Sequence, residues 1–203
     1  MVDYSLDRLN LLVVDDNKHM RALVKSILHA LGVRSVHEAT DGADAFKELR
    51  HFPADLIICD WNMEPLDGLD FVRLVRTGAD SPNPYVSIIM LTGHTELNRV
   101  LEARDTGVHE FLAKPISAKK LYSRIKAIVE HERKFIKAGR FFGPDRRRRT
   151  DPAFSGTERR VAANDPVPAD APPIAPVPAA EPAAEPEGGK DLNQEEIEAL
   201  LNS

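Results

Sequence analysis

The chain contains hardly any cysteine. Cys59 is the single cysteine in 203 residues, so no disulfide can form within the chain, and its place inside an aliphatic run predicts a core position. The sequence also lacks a signal peptide and any apolar run long enough to cross a membrane. These absences exclude a disulfide-stapled secreted protein, and we expect a cytoplasmic protein with no membrane span.

Apolar residues other than alanine are scarce near the end of the chain. Eight of the 15 prolines fall between Pro166 and Pro186, among alanines and glutamates that leave almost nothing to bury. The earlier part of the chain is rich enough in aliphatic residues for one core. We predict a folded domain over residues 8–138, a basic segment over 139–161, a disordered linker over 162–190 and a short amphipathic helix over 191–203.

The folded part alternates short aliphatic runs with helical periodicity. Between the runs, apolar residues recur every three to four positions, as on one face of a helix. The last helix is predicted to begin at Ser117, to end near Ala138 and to bury Leu121, Ile125, Ile128 and Val129. Five alternations of strand and helix predict an α/β fold with a parallel sheet covered on both faces. The buried strands are predicted at residues 9–14, 35–39, 55–60, 86–91 and 110–113.

Polar side chains follow four of the predicted strands. Asp15 and Asp16 end the first strand, Asp60 the third, Thr92 the fourth and Lys114 the fifth. These positions meet at one edge of a parallel sheet, where three carboxylates favour a hard divalent cation with oxygen ligands. A carboxylate beside such an ion can accept a phosphoryl group, while a lysine and a hydroxyl contact its oxygens. Taken singly, the aspartates are also typical of a helix cap and the lysine of a surface position.

Four short motifs at these strand ends resemble those of a known family. "VVDD" at 13–16, "DWNM" at 60–63, "LTG" at 91–93 and "KP" at 114–115 are similar to the site motifs of CheY-like response-regulator receiver domains. The resemblance implies a flavodoxin-like, doubly wound sheet of five parallel strands in the order 2-1-3-4-5. It also implies a place in a phosphorelay, with a histidine kinase as partner.

The resemblance implies a role for each residue of the site. Asp60 is the phosphoacceptor, Asp16 and Asp60 bind Mg²⁺ directly with help from Asp15, and Asn62 lends its backbone carbonyl, while Lys114 contacts the phosphoryl group. No kinase or hydrolase signature occurs in the sequence, so we expect a regulator and not an enzyme.

The resemblance also implies a switch pair, Thr92 and Phe111, in which the hydroxyl moves to the phosphoryl group and the ring turns inward. Simple packing of the fifth strand is an alternative explanation for Phe111, because aromatic residues are common in strands. The loop "DWNMEPLDG" departs from the family pattern, since Pro65 stands one place later than usual.

Lysine is absent from residues 141–160, although this stretch holds six arginines. A planar guanidinium stacks on rings and bonds oxygen atoms in pairs, which favours a flat anionic ligand such as a guanine nucleotide. The pattern resembles the arginine-rich segment of Cle-type flagellar regulators, which implies cyclic di-GMP as a ligand. The alternatives are a segment that binds nucleic acid or an anionic surface, and a solvated linker. The abundant acidic residues of the folded domain argue against DNA binding. The candidate nucleotide-binding residues are Arg140, Asp145, Arg146, Arg147, Arg148, Arg149, Arg159 and Arg160.

The end segment "DLNQEEIEALLNS" carries its own helix-start signals and one apolar stripe. It resembles the acidic peptides of FliM and CheZ that bind CheY, so we expect docking on a receiver face, in this chain or another, and a flagellar switch protein as a further partner. A frayed polar tail is the alternative. The sequence as a whole predicts a phosphorylated, cyclic di-GMP-sensing regulator of chemotaxis or the flagellar motor; the alternative is a nucleotide-independent phosphate sink or adaptor.

Overall fold

A computed structural model describes residues 6–93, 97–131, 133–138, 141–145 and 161–162. Of the predicted nucleotide-binding residues, Asp145 lies in this part, whereas Arg140, the arginines at 146–149 and those at 159–160 lie outside it. The predicted linker and end helix also lie outside the described residues. No helix of the described part is both long and apolar enough to span a membrane.

The central element is a five-stranded parallel sheet in the order β2-β1-β3-β4-β5. This confirms the predicted fold class and strand order. Each predicted strand lies within one residue of the observed one, because buried parallel strands are nearly continuous aliphatic runs. The strands are β1 Asn10–Val14, β2 Ser35–Ala39, β3 Leu56–Asp60, β4 Ser87–Thr92 and β5 Glu110–Ala113.

Helices cover both faces of the sheet and divide the core into two clusters. Side chains of α1 and α5 pack with Val13 and Ile58 on one face, and those of α2, α3 and α4 pack with Leu12 and Ile57 on the other. Cys59 is buried in the second of these clusters, as predicted. The helices are α1 Lys18–Ala30, α2 Gly42–Glu48, α3 Gly68–Thr77, α4 Leu97–Thr106 and α5 Ala118–Glu130.

The end of α5 differs from the prediction. The helix ends at Glu130 instead of near Ala138, and Val129 is 40% exposed instead of buried. Residues beyond it form an antiparallel hairpin of β6 Phe135–Ala138 and β7 Phe141–Pro144. A further short strand, β8 Val161–Ala162, pairs with the other side of β6. Two residues, glycine first, separate β6 from β7, and such a pair favours a tight hairpin turn over a continuing helix.

The hairpin packs at the amino end of β4 and β5, opposite to the predicted site. Phe135 contacts the ring of His109, with centroids 5.5 Å apart, and Arg133 pairs with the buried Glu110 at 2.9 Å. Gly143 lies so close to Gly107 that a Cβ added to Gly143 would be 2.9 Å from the Gly107 Cα. The hairpin is therefore part of the folded domain.

Arg76 is buried beneath this hairpin at the end of α3. Its guanidinium donates to the carbonyl oxygens of Gly107 at 3.1 Å, Pro84 at 2.7 Å and Val86 at 2.8 Å. Its Cζ lies 5.2 Å from the centroid of the Phe135 ring. Burial lowers the pKa of Arg76 to about 9, which leaves it charged at neutral pH. One side chain thus ties α3, the start of β4, the end of α4 and the hairpin together.

Candidate functional site

The predicted site residues meet at the carboxyl edge of the sheet. Asp15 directly follows β1, Asp60 ends β3, Thr92 ends β4 and Lys114 directly follows β5. The strands are in register, since Asp60 pairs with Leu91 and Thr92 with Ala113. The backbone N–H of Lys114 donates to the Thr92 carbonyl at 2.8 Å and so extends the ladder by one residue. The parallel topology brings these four side chains to one edge, as the sequence predicted.

Three carboxylates lie together at this edge. Oxygen atoms of Asp15, Asp16 and Asp60 all lie within 4.8 Å of one another, with Asp15 and Asp60 buried and Asp16 exposed. The Asp15 Oδ1 accepts a hydrogen bond from the Asn17 N–H at 2.8 Å, but its buried Oδ2 has no hydrogen-bond partner within the described residues. A buried carboxylate oxygen normally has a partner. The three aspartates therefore fit a Mg²⁺ ion, which prefers carboxylate oxygen ligands.

The Lys114 ammonium lies against two of these carboxylates. Its Nζ lies 2.8 Å from the Asp60 Oδ1 and 3.7 Å from the Asp15 Oδ2. The pKa of Asp15 is raised, chiefly by burial and further by the negative charges of Asp60 and Asp16. The Asn17 N–H and the Lys114 ammonium oppose that rise without cancelling it. The site thus holds more negative charge than one lysine balances, as expected where a cation binds.

Two residues outside the predicted set shape the backbone around the carboxylates. The N–H of Gly68 donates to the Trp61 carbonyl at 2.8 Å, and a Cβ on Gly68 would overlap the Asp60 carbonyl oxygen. The Arg21 guanidinium donates to the Asp15 carbonyl at 2.7 Å and to that of Asp16 at 3.3 Å. The sequence "LDG" places Gly68 where a helix can begin, so the glycine itself could have been singled out. Its close approach to Asp60 could not, because that approach exists only in the folded loop.

The other predicted residues lie nearby. Thr92 is fully buried, and Phe111 is 1% exposed with its ring in the core cluster that includes Val100 and Ala103 of α4. An inward ring is compatible both with a switch residue and with simple strand packing, so the role of Phe111 stays a prediction. Asn62 lies exposed in the loop after β3.

The sequence profile of the response regulator receiver domain matches residues 11–126, more than half of the chain. This chain belongs to the response-regulator receiver family. The receiver domain is 34% identical over 122 residues to the chemotaxis protein CheY of Pseudomonas aeruginosa, covering 60% of this chain and 97% of that protein. It is 32% identical to CheY-3 of Vibrio cholerae, covering 60% of this chain and 92% of that protein.

A solved structure shows the same fold. The chemotaxis protein CheY4 of Vibrio cholerae, crystallised at low pH, superposes with a TM-score of 0.55 at 30% identity, covering 59% of this chain and 98% of that one. The family match ends inside α5, so the β6–β7 hairpin and everything after it are additions to the receiver domain. Asp145 immediately follows that hairpin and is anchored by its N–H, which donates to the Lys134 carbonyl at 2.7 Å.

Proposed function

We propose that this receiver domain is a Mg²⁺-dependent phosphoacceptor and not an enzyme, with Asp60 as the residue modified. The observation that carries the proposal is the contact of Lys114 Nζ with Asp60 Oδ1 at 2.8 Å beside a three-carboxylate cluster. A carboxylate that is buried next to a cation site and paired with a lysine is positioned to attack a phosphoryl group.

The step forms one bond and breaks another. An Asp60 carboxylate oxygen attacks phosphorus, the bond between phosphorus and a histidine nitrogen of the kinase breaks, and that nitrogen keeps the electron pair. Because Lys114 lies beside Asp60, its ammonium can contact an oxygen of the phosphoryl group once the group is attached. Thr92 lies at the end of the adjacent strand, β4, where its hydroxyl can contact another of these oxygens. When bound by Asp15, Asp16, Asp60 and the Asn62 carbonyl, Mg²⁺ would neutralise charge on the transferred group.

Labelling with acetyl phosphate tests this proposal. Wild-type protein with Mg²⁺ should incorporate one phosphoryl group, measured by intact mass, and Asp60→Asn should incorporate none. Asp80→Asn is the matched control, because Asp80 is a surface carboxylate paired with Arg50 at 2.6 Å. Full incorporation in Asp60→Asn would overturn the assignment.

Cyclic di-GMP is the second ligand of the proposed function. Its support is the sequence: six arginines and no lysine in residues 141–160, with glycine and proline between them. Charged hydrogen bonds are each worth about 1.5–3 kcal/mol, so alanine at residues 146–149 should weaken binding strongly. Titration calorimetry with cyclic di-GMP and with linear GMP tests this, and equal affinity for the two would indicate bulk charge instead.

Output is proposed to run through protein contacts with a chemotaxis or flagellar partner. Its support is the similarity to chemotaxis proteins, together with the end segment over residues 191–203. The second candidate function is a nucleotide-independent phosphate sink or adaptor. Its support is that the carboxylates and Lys114 form a receiver site that needs no nucleotide. Labelling of Asp60 without any cyclic di-GMP binding would support this second candidate.

A further inference from the structure

Arg21 lies in the first turn of α1 and contacts the loop that carries two of the three carboxylates. Long side chains of a helix point back towards its N-terminus, so an arginine at this position reaches over the residues before the helix. Its Nη1 donates to the carbonyl oxygen of Asp15 at 2.7 Å and to that of Asp16 at 3.3 Å. One nitrogen atom thus binds the backbone of two neighbouring residues whose carboxylates belong to the cluster.

The two carbonyls lie where the chain leaves the sheet and enters the helix. The Asp15 N–H still donates to the Ala39 carbonyl at 3.3 Å, which continues the pairing of β1 with β2, and Asn17 is the N-cap of α1. A carbonyl that has left the strand ladder needs another donor, and the guanidinium supplies it. Rotation of either peptide plane would move the carboxylates relative to Asp60. The bonds from Arg21 therefore help to set the spacing of the cluster.

An ordinary surface ion pair does not explain the position of this side chain. The Arg21 Nε lies 3.4 Å from the Glu38 Oε2, whereas the Lys25 Nζ lies 2.7 Å from the other oxygen of Glu38. The pKa of Glu38 is lowered chiefly by its hydrogen bond to Lys25. The Arg21 side chain is 14% exposed, against 37% for Lys25. The shortest bond of the guanidinium goes to the Asp15 carbonyl, and its contact with Glu38 is secondary.

We propose that Arg21 is a positioning residue for the Mg²⁺ site, which raises the Mg²⁺ affinity by fixing the backbone of Asp15 and Asp16. This inference rests on the Mg²⁺ site of the proposed function and adds a residue outside the ligand set. Residues that hold ligands in place strengthen a metal site, because the ligands need not be rearranged when the ion binds. The charge of Arg21 acts in the opposite direction, since a nearby positive charge repels a cation. Removing Arg21 should therefore weaken Mg²⁺ binding if positioning dominates and tighten it if charge dominates.

A Mg²⁺ titration of the full chain, followed by tryptophan fluorescence, tests the proposal. Trp61 is the single tryptophan, is buried and directly follows Asp60, so its emission reports on the site. Arg21→Met should weaken Mg²⁺ binding about 10-fold, at the lower end of the range for residues that hold metal ligands. Arg21→Lys should recover part of the affinity, because it keeps one donor group. The rise in unfolding temperature on adding Mg²⁺ is a second measurement and should be smaller in Arg21→Met.

Lys25→Met is the matched control. It removes one positive charge from the same helix, but Lys25 bonds the Glu38 carboxylate instead of the two loop carbonyls. Its Mg²⁺ affinity should stay near the wild-type value. At saturating Mg²⁺, Arg21→Met should still be labelled at Asp60 by acetyl phosphate to the wild-type extent. A positioning residue changes how much Mg²⁺ is needed and leaves the phosphoacceptor itself intact.

The outcomes separate this inference from the proposed function. Unchanged or tighter Mg²⁺ binding in Arg21→Met, with a clear response in the wild type, would overturn the positioning role and leave the phosphoacceptor function standing. An equal loss of affinity in Lys25→Met would overturn it in favour of a general charge effect of the helix. Lost labelling of Arg21→Met at saturating Mg²⁺ would overturn it in favour of a general structural role. No response of the wild type to Mg²⁺ in either measurement would overturn the metal site of the proposed function, and this inference with it.

Discussion

At the scale of single residues, Asp15 is a buried carboxylate whose charged form a bound cation would stabilise. The residue is 1% exposed, and its Oδ2 has no hydrogen-bond partner within the described residues. Burying a carboxylate beside two others is unfavourable without a bound cation. The pKa of Asp15 is raised for the same reason, because burial and then the neighbouring carboxylates disfavour its charged form.

Replacing this carboxylate with an amide should stabilise the metal-free protein. We expect Asp15→Asn to raise the free energy of unfolding by about 1 kcal/mol near neutral pH, because a buried charge disappears while the side-chain shape is kept. Added Mg²⁺ should raise the unfolding temperature of the wild type more than that of the variant. Thermal unfolding with and without Mg²⁺ measures both effects, and an equal Mg²⁺ response in the two proteins would argue against Asp15 as a ligand.

Gly68 carries the second prediction at this scale. A Cβ at this position would overlap the Asp60 carbonyl oxygen, so Gly68→Ala should displace the backbone of Asp60. We expect a loss of about 1–3 kcal/mol in unfolding free energy, typical of overpacking, together with slower labelling by acetyl phosphate. Gly93→Ala is the control for stability, because no atom lies within 4 Å of a Cβ there. Wild-type stability and labelling in Gly68→Ala would contradict the close approach.

At the scale of elements, strands with a single aliphatic run were predicted well, and the hairpin was not. Residues 56–60 are apolar until Asp60, so both the strand and the position of Asp60 at its end follow from the sequence. The helical spacing of apolar residues in α5 continues in the sequence to Phe135 and Ile136, so it does not reveal the break after Glu130. That break depends on distant contacts such as the one between Gly143 and Gly107, which no local pattern reveals.

The start of β5 makes stability depend on pH through His109. Its Nδ1 accepts from the Ile88 N–H at 3.1 Å and lies 3.4 Å from the Arg76 guanidinium, so the fold selects the neutral imidazole. Burial, and then the charges of Arg76 and Arg133, hold the pKa of His109 well below its ordinary 6.5. Because the unfolded chain takes up this proton first, stability should fall as the pH decreases below about 6.5, by at most about 1.4 kcal/mol per unit.

The free energy of unfolding, measured in matched variants at about pH 7.5 and about pH 5, would check this pH dependence. The first pH lies above the ordinary histidine pKa of about 6.5 and the second lies below it. His109→Gln should be less stable than the wild type at pH 7.5 but lose less stability on acidification. His51→Gln, an exposed histidine before β3, should keep the wild-type slope. Equal slopes in wild type and His109→Gln would assign the acid sensitivity to other groups.

At the scale of the whole molecule, the folded domain extends beyond the family match. Residues 11–126 contain nearly all of the sheet and the three-carboxylate cluster, but they leave Arg76, His109 and Glu110 without the hairpin that covers them. The carboxylate cluster and the added hairpin lie at opposite ends of the parallel strands, with the carboxylates at the carboxyl end and the hairpin at the amino end. β5 connects them, since Glu110 contacts Arg133 near the hairpin and Lys114 contacts Asp60.

Truncation should therefore separate the receiver site from its added hairpin. A chain of residues 1–162 should unfold at nearly the temperature of the full protein, because it keeps β6, β7 and β8. A chain of residues 1–131 should lose about 2–5 kcal/mol of unfolding free energy, because it uncovers the Arg76 guanidinium and removes Arg133, which pairs with the buried Glu110. Denaturant unfolding of both chains measures the difference, and acetyl phosphate labelling checks that each retains its site. Equal stability of the two chains would show that the hairpin only rests on the receiver domain, and the folded unit would then end with α5.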